Sequence, residues 1–238
     1  MIKGILAMLV VGLTAVASGQ AVTLEEIMAH NIEARGGKDL ITKVSSMKIV
    51  GSMETMGGEM KFTQYLKDNS KLRMEMSVQG MEIIQAFDGI VGWSVNPMSG
   101  GEAQRSSEAE TKQTRGQANM WGTFVNPEDQ GLTLSYVGAE DIDGMTAYVV
   151  DITDADGTKS KVYVDAITWL EVKMTRTIAM MGQETEMDIF LSNYKNIGGF
   201  QIPMEMTFEM DGQEVMSMKR ETVEVNVAID DQIFAFPG

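Results

Sequence analysis

Residues 70–78 read SKLRMEMSV, and this stretch decides the fold. Leu72, Met74, Met76 and Val78 alternate with Lys71, Arg73, Glu75 and Ser77. A period of two sends alternate side chains to opposite faces of a β-strand, so this segment predicts a strand with one dry face and one wet one.

The same alternation extends in both directions. It runs through Met60, Phe62 and Leu66, then through Met81, Ile83 and Phe87. Further along it returns at Leu170, Val172 and Met174, at Met187, Ile189 and Leu191, and at Ile202, Met204, Met206, Phe208 and Met210. The pairs Gly57-Gly58, Asp88-Gly89, Asp143-Gly144, Asp156-Gly157, Gly198-Gly199 and Asp211-Gly212 punctuate it. Such pairs supply the positive φ angles of tight hairpins, so the pattern predicts about eleven or twelve antiparallel strands.

Helices are few. Thr23 followed by Glu26 is a capping-box pattern, and Leu24, Ile27, Met28 and Ile32 then recur at helical spacing until Gly36 and Gly37 stop them. A second short helical piece is expected over 38–44. Between Asn96 and Gly131 the alternation lapses; residues 106–120 are polar with moderate helix propensity, which predicts a helical or loop insertion (96–131) in one domain spanning 22–238.

Residues 1–21 read as a secretory signal: Lys3, an apolar run from Ile5 to Ala17, and small residues Ala17, Gly19 and Ala21 as cleavage sites. The run is too short to span a bilayer. The product is expected to be exported to the periplasm. The chain has no cysteine, which excludes disulfides, thiol nucleophiles, thiolate metal sites and an acylated amino-terminal cysteine. Its formal net charge of −15 comes without any basic cluster, so nucleic acid and anionic membrane surfaces are poor partners. The acidic excess serves solubility or attracts cationic partners.

Eleven strands of seven residues present one apolar face of roughly 1,100–1,200 Å². A helix of about 13 residues covers on the order of 200 Å², so two or three helices shield about half of it. Sheet curvature, a second sheet or a bound guest must account for the rest. The inward parity is rich in methionine, 22 of the 238 residues, a flexible and polarizable side chain suited both to core filling and to varied apolar ligands. The candidate ligand face comprises Phe62, Leu66, Leu72, Met74, Met76, Ile83, Phe87 and Trp93 in the first half of the chain. In the second half it comprises Val172, Met174, Ile189, Met204, Met206 and Phe208. Gln64, Gln85 and Arg176 interrupt the apolar parity; each needs a polar partner, from a ligand headgroup or from neighbouring backbone or water.

Catalytic chemistry finds little support. His30 is the single histidine and falls on the amino-terminal helix. One histidine without cysteine argues against zinc or iron. Asp151, Asp154, Asp156 and Gly157 do not keep calcium-loop spacing, because a glycine at the sixth position would put Ile152 first and Tyr163 twelfth. No phosphate loop, nucleophile elbow or Ser/His/Asp set is present, so no cofactor, no metal and no enzyme activity is expected.

Six stretches carry a family resemblance: EARGG at Glu33–Gly37, KLRMEM at Lys71–Met76, QGMEIIQAFDGIVGW at Gln79–Trp93, AEDIDGMTAY at Ala139–Tyr148, DAITWLEVKM at Asp165–Met174 and GGFQIP at Gly198–Pro203. With these the chain resembles the bacterial outer-membrane lipoprotein-sorting proteins and their periplasmic carrier, the LolA-like family. The resemblance implies a mainly β fold: one curved antiparallel sheet forming an incomplete half barrel, with two or three short helices covering its open side. It implies a carrier of lipoprotein acyl chains or lipids, working with an outer-membrane acceptor or an inner-membrane exporter; the chain is expected to be a monomer. The carrier's cavity holds an arginine, whereas here Gln64 occupies the comparable parity and Arg176 offers a substitute. Two other functions fit the same fold pattern, a lipid-responsive sensing module and a lipid-ester hydrolase.

Overall fold

The computed structural model describes residues 22–78, 80–180 and 183–237. The signal read at 1–21 therefore lies outside the described residues. The chain opens with α1 (Leu24–Ala34), capped as its sequence predicts: Glu26 N–H donates to Thr23 Oγ1 (3.2 Å) and Thr23 N–H donates to Glu26 Oε2 (2.9 Å). A single turn, α2 (Lys38–Ile41), follows.

Thirteen strands then build one antiparallel sheet: β1 (Ser46–Thr55), β2 (Gly58–Lys67), β3 (Lys71–Val78), β4 (Met81–Phe87), β5 (Gly92–Val95) and β6 (Ala103–Arg105), then β7 (Thr133–Ile142), β8 (Met145–Thr153), β9 (Lys159–Asp165), β10 (Glu171–Met180), β11 (Gln183–Ile197), β12 (Phe200–Met210) and β13 (Gln213–Val225). The helix α3 (Glu108–Gln117) lies between β6 and β7. The count exceeds the expected eleven or twelve because β5 and β6 have only four and three residues, too short to show a period.

The spatial order β6-β5-β4-β3-β2-β1-β13-β12-β11-β10-β9-β8-β7 explains the layout. The chain enters at the centre, steps outward to one edge, crosses to the opposite edge and steps back until β13 closes on β1, with Met47 opposite Val225. The sheet does not close into a barrel: β6 and β7 remain its edges. The expected insertion at 96–131 thus begins as an edge strand and continues as the segment that carries α3 from one edge to the other.

Two apolar clusters occupy the inner face. One joins Ile41, Val44 and crossover residues Ala118, Met120 and Val125 to Met47, Ile49, Phe62, Leu66, Leu72, Phe87, Ile202 and Met204. The other joins Ile27 of α1 and Phe124 to Val150, Ile152, Val162 and Val164. A smaller cluster of Ala147, Val149 and Tyr163, with Val172 packed against it, lies on the outer face. Every strand except β5 and β6 therefore contributes residues to an inner-face core that the helices and crossover cover only in part.

The helical end is fixed by a close approach. Gly36 has φ 122°, and a Cβ there would strike the Gly199 carbonyl oxygen of the β11–β12 turn, while Gln201 N–H donates to Arg35 O at 3.0 Å. Both the backbone conformation and the space demand glycine. Gly36→Ala is expected to lower unfolding free energy by about 2–3 kcal/mol, measured by denaturant titration; a loss below half of that would mean the helix end is free to shift.

The carboxyl-terminal tail straps the outer face of β2, β3 and β5. Lys67 Nζ donates to Ile229 O (2.9 Å), Arg73 Nη1 to Ile233 O (2.9 Å) and Trp93 Nε1 to Phe234 O (2.8 Å), while Lys71 pairs with Asp231 at 2.7 Å. Among the described residues no helix is long and apolar enough to cross a membrane.

Candidate lipid-binding trough

The inner face has two ends of different character. Helices α1 and α2 and residues 118–125 cover the end that holds the β2–β3 and β11–β12 turns. Two side chains latch the crossover there. Asn69 Oδ1, in the β2–β3 turn, accepts from Met120 N–H (2.6 Å) and Trp121 N–H (3.1 Å). Arg35 Nη1 donates to Trp121 O at 2.7 Å, and its guanidinium lies 5.0 Å from the Phe200 ring centroid. At the other end of the sheet, Lys112 of α3 reaches both Asp154 (2.9 Å) and Asp156 (2.8 Å) in the β8–β9 turn. That turn is a hairpin connection, with Asp154 Oδ1 accepting from Asp156 and Thr158 N–H. No group of three or more acidic or histidine side chains among the described residues is arranged to hold a metal.

This opposite end also carries the β1–β2, β3–β4 and β12–β13 hairpins, and among the described residues α3 is tied to it at the β8–β9 turn alone, by those two ion pairs. Cross-strand register sets out the floor in rows. One row runs Met60, Met53, Met218, Met206 and Leu191 across β2, β1, β13, β12 and β11. The next toward the tips runs Met216, Phe208, Ile189 and Met174. Met60, Met76, Met206, Phe208 and Met216 are only half-buried, although they pack on the buried core. At the rim Met56 is 96% exposed and Met81 is 41% exposed. The arrangement is a methionine-lined trough, covered at one end by the crossover and open along the β1–β2, β3–β4 and β12–β13 tips.

The sequence-derived ligand face divides along this line. Phe62, Leu66, Leu72, Met74, Phe87 and Met204 are buried in the covered core, Phe62 to 2% exposure. Met76, Ile83, Met174, Met206 and Phe208 are half-buried, and Ile189 is buried in the floor between Met174 and Phe208. Gln64 is buried in register with Ile49 and Met74, and Gln85 Nε2 donates to Thr114 Oγ1 of α3 at 2.7 Å, so a protein group, and not a ligand, satisfies it. Arg176 is half-buried between Ser160 and Met187, and burial pulls its pKa down.

Two expected residues lie elsewhere. Trp93 pairs with Ala86 and Arg105 on the outer face, bonded to the tail and beneath the Arg73 guanidinium at 5.6 Å, so its burial comes from the strap. Val172 is turned outward by the β-bulge between Glu171 and Lys173 and packs with Tyr163. Trp93→Phe is expected to cost about 1 kcal/mol of stability through the lost hydrogen bond. The same variant should leave acyl binding unchanged, measured by probe titration beside a melt; a binding loss would return Trp93 to the ligand face.

Two residues that alternation did not single out stand inside instead. Arg35, at the end of α1, holds the crossover as described. Arg220, on β13, lies opposite Gly51 and follows Met216 and Met218 at the inward parity. That polar interruption of an apolar series is the same signal that marked Gln64, Gln85 and Arg176. Its Nη1 donates to Pro203 O at 2.9 Å. Nearby, a positive φ of 52° at Asn193 breaks the alternation of β11, and the Tyr194 hydroxyl donates to Glu171 O at 2.7 Å. Burial and the Glu171 charge push the Tyr194 pKa up, against the influence of Arg35 and Arg220, and keep the phenol neutral. His30 stands apart on the exposed side of α1, stacked on Trp169 at 4.4 Å.

Cavities of about 340 and 350 Å³ open on the outer face. The first lies under the tail, where Val227, Ala228, Ile229 and Ile233 face Lys48, Tyr65, Glu75 and Glu224; the second is lined chiefly by hydroxyl and charged side chains of β7–β11. The first mixes apolar and charged walls in equal measure and the second is polar, so neither is the predominantly apolar enclosure an acyl chain needs.

No protein-family profile matches the chain, and no curated protein matches it in sequence. Solved structures do. A LolA superfamily protein from Nitrosomonas europaea superposes with a TM-score of 0.62 at 17% identity, over 90% of this chain and 98% of its own. A DUF1329 family protein from Desulfovibrio piger gives 0.61 at 14% identity, again over 90% and 98%. An outer membrane lipoprotein-sorting protein domain from Vibrio parahaemolyticus gives 0.57 at 13% identity, over 88% and 94%. The fold is thus the open half barrel of the LolA-like proteins, and the expected mainly β architecture stands.

Proposed function

We propose that the protein is an exported, non-enzymatic carrier that holds lipoprotein acyl chains or other lipids in its inner trough, delivering them between partners of the cell envelope. One observation carries this reading. An open sheet leaves Met60 and Met76 on one side of the buried Met53 and Met218, and Met206, Phe208 and Met216 on the other, only half-buried in a floor that its own helices do not fully cover. Apolar surface of this kind is costly to hydrate, and a long alkyl chain is the guest that fills it without needing hydrogen bonds. Methionine adapts to chains of differing length and saturation. The similarity in fold to a lipoprotein-sorting domain agrees with the proposal.

A fluorescent long-chain acyl probe tests it. Saturable uptake of about one probe per chain, displaced by long-chain but not short-chain competitors, is the expected result. Signal that grows without saturating, or that no lipid displaces, would show that the floor takes no guest.

A further inference from the structure

The guest's chemistry can be narrowed at Arg220. In register this residue belongs to a row otherwise made of Ile83, Met76, Phe62 and Gly51, with no charged neighbour along it. A guanidinium has five N–H donors. One bonds Pro203 O at 2.9 Å, and Nη2 faces only the Met206 sulfur at 3.9 Å, a weak acceptor. Nε is buried and has no acceptor among the described residues. No described carboxylate forms an ion pair with this group. Burial pulls its pKa down to about 10, against the opposing influence of Tyr194, so the group stays cationic at neutral pH.

A buried cation without a counter-ion is unfavourable, and an apolar side chain of similar size would pack there at less cost. Its free donors adjoin Met206, the residue that begins the open floor. A planar fork of N–H groups is matched to carboxylate and phosphate oxygens. We infer that Arg220 binds the anionic end of a single-chain amphiphile, a carboxylate or a phosphate monoester, whose alkyl chain lies over Met206, Phe208 and Met216 toward the hairpin tips. This rests on the trough being the lipid site and selects, within that reading, free anionic lipid over acyl chains attached through neutral esters or amides.

Competition against a neutral fluorescent acyl probe separates the two ideas. The competitors are palmitate, methyl palmitate and palmitoyl glycerol phosphate, applied to the purified protein and to its Arg220→Met and Arg220→Lys variants. Palmitate should compete at least about tenfold better than its methyl ester on the unmodified protein. Arg220→Met should erase that preference while keeping the ester's affinity, and Arg220→Lys should keep part of it. The phosphate competitor distinguishes the head: if it exceeds palmitate, the natural anion is a phosphate monoester, and if palmitate exceeds it, a carboxylate. Equal binding of acid and ester, or a preference that survives in Arg220→Met, would overturn the anchor and leave the carrier reading intact. Failure of every competitor and of the probe would overturn the carrier reading and the anchor with it. Unfolding curves guard the comparison; should Arg220→Met fail to fold, the acid-to-ester ratio on the unmodified protein and on Arg220→Lys decides.

Discussion

Phe208→Asp is expected to reduce acyl-probe affinity by at least about 100-fold, the larger of the two strongest effects anticipated for this protein. Phe208 stands in the middle of the open floor, opposite Met216 on one strand and Ile189 on the other. A carboxylate there remains hydrated while the trough is empty, but a bound alkyl chain must strip its water, at a cost of several kcal/mol. The loss should therefore appear mainly in binding and less in stability. Glu205→Ala provides the control, since Glu205 pairs with Lys219 in register and accepts from Asn193 Nδ2 on the outer face. Titration of the same probe against both variants checks the assignment. A loss at Glu205→Ala as large as that at Phe208→Asp would mean that the inner face is not where the probe binds.

Arg35→Ala should have the second largest effect, on stability and on the lid. The side chain is buried, donates to the Trp121 carbonyl, lies against Phe200 and has Gly122 packed directly on it. Losing a charge-assisted hydrogen bond and a cation–π contact together corresponds to about 2–4 kcal/mol. Asn69 still holds the crossover at Met120, so the sheet is expected to remain folded while residues 118–125 open more often. Hydrogen exchange should show faster exchange in that segment, and probe uptake should quicken without a change in saturation level. Unchanged exchange at 118–125 would mean that the crossover is held by its apolar contacts alone.

Most of the fold was legible because the sheet has one dry face, and a dry face imposes a period of two wherever a strand is long enough to show it. Residues 70–78 sit within one residue of the bounds of β3, and the Thr23–Glu26 capping box marks the start of α1. Where the period failed, the physics was local. From sequence Trp93 is expected on the inner face, but it lies in a four-residue strand too short to fix its parity, and the tail covers it on the outer face. Val172 lies at a bulge, which shifts the alternation by one and is silent in composition. The edge strand β6 was absorbed into the insertion because three residues cannot display a period.

The site was legible as a surface but not as an arrangement. Alternation identified the apolar residues, yet only the sheet's curvature and the reach of the crossover decide which of them are covered. Phe62, Leu66, Leu72 and Phe87 are core, whereas Met76, Met206 and Phe208 form the open floor. Arg220 carried a readable signal, a cation at inward parity after Met216 and Met218. Arg35 did not: its role depends on a contact with Trp121, 86 positions along the chain.

Native mass spectrometry of the protein isolated from an envelope fraction under non-denaturing conditions bears most directly on the central claim. The expected result is a population heavier than the bare polypeptide by the mass of one acyl lipid, converted to the bare mass by delipidation and restored by adding lipid back. Only the bare mass, before and after incubation with long-chain lipids, would contradict it and show the methionine floor to be part of the core.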